Sequence, residues 1–159
     1  MAQRILFVCL GNICRSPTAE AVTRAKAAAR GVALEIDSAG TGAWHVGKPP
    51  YGSMQQAARA YGYEMAELRA RQVTARDFAR FDKIIAMDAQ NHADLVALAP
   101  ARNGARAGTS TGEGATLHLF TDFAPGAAMD HVPDPYYTRD FEGALRLIEA
   151  CAEGLLATL

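Results

Sequence analysis

The chain has 159 residues, half of them hydrophobic, with 16 basic against 17 acidic side chains and a net charge of −1. That balance gives no ground for a nucleic-acid or anionic-membrane partner, no apolar run approaches the ~20 residues of a membrane span, and the N-terminus lacks the features of a secretory signal. Three cysteines, two of them in one short loop, make no disulfide framework, so a reducing cytoplasm is the expected setting. At this length one domain over residues 1–159 is expected, burying roughly 70% of its unfolded surface.

In chain order, Arg4–Val8 reads as a short buried strand. Ser16–Arg30 reads as an alanine-rich helix, with Ser16 suited to the N-cap, Pro17 to the first helical position and Gly31 as the stop. Leu34–Asp37 alternates apolar and polar as a second strand. A loop from Gly40 to Gly52 leads to a helix over Ser53–Tyr61 that ends at Gly62, and Thr74-Ala75-Arg76-Asp77 resembles a capping box before a short helical turn. Lys83–Met87 is the third strand, followed by a helix from Ala89 to Ala99 with Asp88 as its cap. Thr116–Phe120 is the fourth strand and Thr138–Leu159 the closing helix. Between them, Ala101–Ala115 carries four glycines and is expected to be a flexible surface loop. Alternating strand and helix predict an α/β domain in three layers around a mainly parallel four-stranded sheet, with ligands bound beyond the carboxyl ends of the strands.

The stretch Val8-Cys9-Leu10-Gly11-Asn12-Ile13-Cys14-Arg15-Ser16-Pro17 lies at that edge, between the first strand and the first helix. A tight loop running into a helix N-terminus gathers unpaired backbone N–H groups and the positive end of the helix dipole, which makes an anion site. Cys9 in that field favours its nucleophilic thiolate form. Arg15 supplies a planar fork able to hold two phosphate oxygens. Taken singly, Cys9 would more often be a core cysteine and Arg15 a solvated charge. That reading leaves Gly11 and Asn12, the two types most ready to take positive φ around an anion, without a purpose.

Cys9 to Ser16, followed by Pro17-Thr18-Ala19-Glu20, resembles the signature of the low-molecular-weight protein tyrosine phosphatases. Asp37-Ser38-Ala39-Gly40-Thr41, Trp44-His45-Val46-Gly47, Ala70-Arg71-Gln72-Val73, Phe81-Asp82, Met87-Asp88 and Asp134-Pro135-Tyr136-Tyr137 follow in the family's order. The stretch between Pro100 and Thr116 departs from it in being longer and richer in glycine. The resemblance implies a sheet in the order 2-1-3-4 with the phosphate-binding loop after strand 1. It implies a phosphotyrosine hydrolase working through a phosphocysteine on Cys9, with the N–H groups of Leu10, Gly11, Asn12, Ile13, Cys14 and Arg15 and the Arg15 side chain on the phosphate. Asp134, held between two prolines, would be general acid and later base, where by itself it would more often be a turn residue. Ser16 would donate to the Cys9 sulfur, or simply cap its helix. Asn12 and Ser38 would hydrogen bond to brace the loop, Trp44, His45, Tyr136 and Tyr137 would wall the substrate, and Cys9 with Cys14 would form a protective transient disulfide. Cys14 has the alternative of being a small buried side chain.

Ile13 and the paired tyrosines favour an aryl phosphate over the related arginine-phosphatase branch, which the resemblance associates with threonine at that loop position. Arsenate reductases share the scaffold but need two further cysteines, and here only Cys151 lies beyond the loop; its helical spacing with Leu147, Ile148 and Leu155 reads as core. A non-catalytic phosphate-binding module would need neither Cys9 nor Asp134. His45, His92, His118 and His131 show no metal-site spacing, so no metal and no cofactor is expected. The partners implied are phosphotyrosine-containing proteins, with a cognate tyrosine kinase as one, acted on by a monomer or weak dimer. Thirteen Arg against three Lys, with abundant Ala, fit a GC-rich bacterial genome.

Overall fold

The first strand is apolar on both of its sides, and this decides the architecture. In the computed structural model, which describes residues 2–100 and 114–159, β1 (Gln3–Cys9) lies between β2 (Leu34–Gly40) and β3 (Lys83–Ala86), with β4 (Thr116–Leu119) beyond β3. All three pairings are parallel, so the sheet has the expected order β2-β1-β3-β4. Along β1, Ile5, Phe7 and Cys9 enter one apolar cluster while Leu6 and Val8 enter the other, as the two-residue period of a strand requires. The first cluster takes side chains from α1 (Arg15–Ala29), α2 (Gly52–Ala60) and α6 (Phe141–Ala157). The second takes Phe78 from α3 (Asp77–Arg80) and Leu95 from α4 (Ala89–Leu98). The result is three layers with the carboxyl end of β1 at the centre of one edge.

Several boundaries differ from the expected ones for identifiable reasons. The helix after β1 begins at Arg15, one residue early, and Ser16 does not cap it; its hydroxyl is engaged elsewhere, as described below. β2 runs on through Ser38, Ala39 and Gly40 because Gly40 also pairs with Gln72, a backbone contact that apolar periodicity does not register. β3 and β4 each end one residue sooner, and Phe120–Phe123 forms a 3-10 turn. The closing helix does not start at Thr138. A separate turn, α5 (Pro135–Thr138), stops at Arg139, whose φ of 64° is left-handed, and Asp140 then caps α6 by accepting from the Gly143 N–H at 2.9 Å. Asp88 caps α4 as expected, accepting from the Asn91 N–H at 2.7 Å. At the Thr74 turn the carboxylate of Asp77 accepts the Thr74 N–H at 2.8 Å, so one half of a capping box is made. The predicted loop Ala101–Ala115 lies outside the described residues except for Gly114 and Ala115. No helix among the described residues is long and apolar enough to cross a membrane.

Cys151 is fully buried in the first cluster, and burial pushes its thiol from an ordinary 9.0 up to about 12. The folded chain therefore keeps a proton that the unfolded chain loses, and this contribution to stability falls away as pH rises from 9.0 to about 12. Cys151→Ala is expected to flatten the fall of unfolding free energy with pH in that window by about 1.4 kcal/mol per pH unit. Denaturant titrations at a series of alkaline pH values measure this, and equal slopes in the two proteins would refute it.

Candidate active site

β1 delivers Cys9 to the sheet edge, and the following loop folds back around its sulfur. The Asn12 N–H donates to the Cys9 Sγ at 3.3 Å, and the Ser16 Oγ lies 3.0 Å from the same sulfur. Asn12 takes the left-handed conformation predicted for it, with φ 58°. Its side chain fixes that turn from three sides: Nδ2 donates to Ser16 Oγ at 2.8 Å and to Ser38 Oγ at 3.0 Å, and Oδ1 accepts the Arg71 N–H at 2.9 Å. The expected Asn12–Ser38 pair is thus present. Gly11, by contrast, does not have positive φ; a Cβ there would lie 3.0 Å from the His45 Cδ2, so any side chain would press the imidazole back by a few tenths of an ångström.

Residues missed in the sequence complete the support. Gly40 approaches the loop so closely that a Cβ would lie 2.7 Å from the Leu10 carbonyl oxygen and 3.1 Å from the Asn12 nitrogen. Ser38 donates to the buried carboxylate of Glu20 at 2.7 Å, which in turn accepts from Arg24 at 2.7 Å. Arg71 is anchored by Asp37 at 3.1 Å and Asp77 at 3.0 Å, and its carbonyl accepts the Gly40 N–H at 2.8 Å.

Arg15 is only 2% exposed and reaches under the loop to the opposite side. Its Nη1 donates to Asp88 at 2.7 Å and to the Val132 carbonyl at 2.9 Å, and its Nη2 to Asp134 at 3.3 Å. Burial works against the Arg15 charge, but Cys9, the hydrogen bond to Asp88 and the charge of Asp134 outweigh it and hold the guanidinium above its ordinary value. Asp88, read from sequence only as a helix cap, does both jobs, one with each oxygen. Its signal was positional: β3 pairs with β1, so the first residues after each strand are neighbours. Asp134 begins α5, where its other oxygen accepts the Tyr136 N–H at 3.1 Å. Cys14 is buried at 3% exposure, and burial, followed by the nearby Cys9, pushes its thiol up to about 12. All three cysteines are free.

Cys9 and Asp134 both line a cavity of about 320 Å³, together with Leu10, Gly11, Ile13 and Cys14, and Arg15 joins it from behind through its ion pair with Asp134. Trp44, His45, Tyr136 and Tyr137 also line it. Trp44 and Tyr137 stand largely in solvent at 69% and 71% exposure, while His45 and Tyr136 face each other with ring centroids 6.4 Å apart. No cluster of three or more His, Cys, Asp or Glu among the described residues is placed to hold a metal ion.

A parallel sheet with a cysteine at the end of its first strand, wrapped by a loop that opens a helix and faced by an arginine–carboxylate pair, defines a phosphate-handling class of α/β protein. The family model described as "Low molecular weight phosphotyrosine protein phosphatase" matches residues 4–159. The low molecular weight protein-tyrosine-phosphatase YfkJ of Bacillus subtilis is 42% identical, with 98% of this chain and 94% of that protein aligned. Its crystal structure superposes with a TM-score of 0.88 over 99% of this chain and 94% of that one, at 41% identity. A low molecular weight protein-tyrosine-phosphatase of Streptomyces coelicolor is also 42% identical, over 100% of this chain and 94% of its own. The structure of a drosophila arginine phosphatase, DARP, gives a TM-score of 0.86 at 29% identity, covering 97% and 96% of the two chains. The chain belongs to the low molecular weight phosphotyrosine protein phosphatase family.

Proposed function

We propose that the protein hydrolyses phosphotyrosine and small aryl phosphates in two steps through Cys9. The sulfur attacks phosphorus in line and the P–O bond to the aryl oxygen breaks, leaving phosphocysteine. Asp134 gives its proton to the departing oxygen. It then takes a proton from the water that attacks phosphocysteine, which releases inorganic phosphate and restores the sulfur anion. The meeting of Cys9 and Asp134 on one aromatic-walled cavity, with Arg15 paired to Asp134, carries this reading.

The supporting details are local. The N–H groups of Gly11, Ile13, Cys14 and Arg15 have no backbone partner among the described residues, so they are available to the phosphate oxygens, with Leu10 and Asn12 completing the cradle. Arg15 Nε is buried and has no partner among the described residues, which supplies a further donor. Ser16 and the Asn12 N–H support negative charge on sulfur both when it attacks and when it leaves. The Asn12–Ser38 pair holds the loop in shape. Trp44, His45, Tyr136 and Tyr137 take the substrate ring. The aromatic walls and Ile13 favour an aryl phosphate over phosphoarginine. Cys14, held as a neutral thiol, reacts only after an oxidant such as a peroxide has turned Cys9 into a sulfenic acid; the two sulfurs then join with loss of water.

Asp134→Asn keeps the shape but removes the proton. It is expected to lower kcat/KM for phosphotyrosine by about 10²-fold or more, and to do less harm with p-nitrophenyl phosphate, whose leaving group needs little protonation. Steady-state kinetics on both substrates test it; equal losses would remove Asp134 from the role of acid.

A further inference from the structure

Arg139 is the residue that the mechanism leaves unexplained. It sits just after α5 in a left-handed conformation, φ 64°, which a side-chain-bearing residue holds only where its surroundings fix it. The surroundings do so. Both terminal nitrogens of its guanidinium donate to the Tyr51 hydroxyl at 3.2 Å, and Nη1 also reaches the Tyr136 carbonyl at 3.4 Å. The same group packs over the Tyr51 ring at 5.3 Å and the Phe141 ring at 5.1 Å.

Tyr51 is tied at its other end to the phosphate loop, where its N–H donates to the Ile13 carbonyl at 2.8 Å. Its ring meets Tyr136 edge-on at 5.5 Å and stacks on Phe141 at 5.9 Å. On the Arg139 side, the Arg139 N–H closes α5 onto the Pro135 carbonyl at 2.8 Å, one residue from Asp134. The Arg139–Tyr51 contact therefore links the segment carrying the acid to the loop carrying the nucleophile, alongside the Arg15–Asp134 pair and the Tyr51–Tyr136 ring contact. The two segments lie far apart in sequence and need a fixed spacing for proton delivery at the moment the P–O bond breaks.

We propose that Arg139 and Tyr51 form a clasp that holds the Asp134 segment in register with the Cys9 loop. Arg139 is then a positioning residue for proton transfer to the leaving group; this rests on Asp134 as the proton donor. Lysine at position 139 would keep the charge but lose the planar double contact with one hydroxyl.

The test is kcat/KM for p-nitrophenyl phosphate, phenyl phosphate and phosphotyrosine, in the parent protein, Arg139→Gly, Tyr51→Phe, Asp134→Asn and the Arg139→Gly/Asp134→Asn double variant. Glycine suits φ 64° and keeps the turn; Tyr51→Phe keeps the ring packing and removes only the acceptor, so it carries the test if the glycine variant folds poorly. Arg139→Gly is expected to lower the phosphotyrosine value about tenfold and the p-nitrophenyl phosphate value less than about threefold, with Tyr51→Phe moving the same way by less. Inhibition by inorganic phosphate should stay unchanged, because the cradle is intact. In the Asp134→Asn background, removing Arg139 should cost nothing further, which a general loss of stability would not reproduce. A loss uniform across the three substrates, or one fully additive with Asp134→Asn, overturns the clasp while leaving the acid assignment standing. A flat substrate series for Asp134→Asn itself overturns that assignment and the clasp with it.

Discussion

Cys9→Ser is expected to abolish turnover, with kcat down by about 10⁴-fold or more, while inorganic phosphate still binds. Serine is close in size and its hydroxyl can keep the hydrogen bonds from the Asn12 N–H and Ser16 Oγ, so the loop that those bonds organise should stand. What is lost is the atom that can carry negative charge, attack phosphorus and later depart. An alkoxide is a far poorer leaving group than a thiolate, so any phosphorylated variant would also fail to turn over. Kinetics with phosphotyrosine, together with phosphate binding by calorimetry, separate the two effects. Residual activity within tenfold of the parent would contradict the nucleophile assignment, and loss of phosphate binding would show that the cradle had collapsed.

Arg15→Lys is expected to lower kcat/KM for phosphotyrosine by about 10²–10³-fold, although the formal charge is conserved. The guanidinium serves several partners at once: Asp88, the Val132 carbonyl and Asp134, with Nε left over for the phosphate. An ammonium is a single point with three donors and cannot reproduce that planar spread. It would leave at least one of these buried or half-buried acceptors unmatched, which is costly in a site this enclosed. Phosphate inhibition should weaken in parallel and the melting temperature should fall, because Arg15 ties the loop at Val132 to the floor of the site. Unchanged phosphate affinity would place the arginine outside the cradle.

Much of this arrangement was readable before any coordinates, for physical reasons that differ from element to element. The two-sided apolar character of Ile5 to Val8 announces a central parallel strand, and the ligand edge follows from it. Cys9, Arg15 and Asn12 are legible because their neighbours restrict what the loop can do. Of the two roles open to Ser16, the cap favoured by a serine before a proline is not made, because a tertiary demand, the sulfur of Cys9, takes its hydroxyl instead. Asp88 and Arg71 were visible only as a cap and as part of a motif, since their contacts to Arg15 and Asn12 depend on strand order and on loops returning from far along the chain. Gly40 shows the limit most clearly: it matters through the closeness of two backbones, 2.7 Å from a virtual Cβ to a carbonyl, and no pattern in one sequence encodes that distance. The break at Arg139 was hidden because helical periodicity runs through it, whereas Asp140 as a cap was a sign open to reading.

The account stands on a covalent bond between phosphorus and one sulfur. Acid-quenching the enzyme during turnover of p-nitrophenyl phosphate, digesting it and weighing the peptides would show that bond directly. The expected result is one added phosphoryl group on the peptide containing Cys9, absent when Cys9→Ser is treated in the same way. A phosphoryl group on another residue, or full turnover with none detectable on Cys9 at any quench time, would contradict the mechanism at its root.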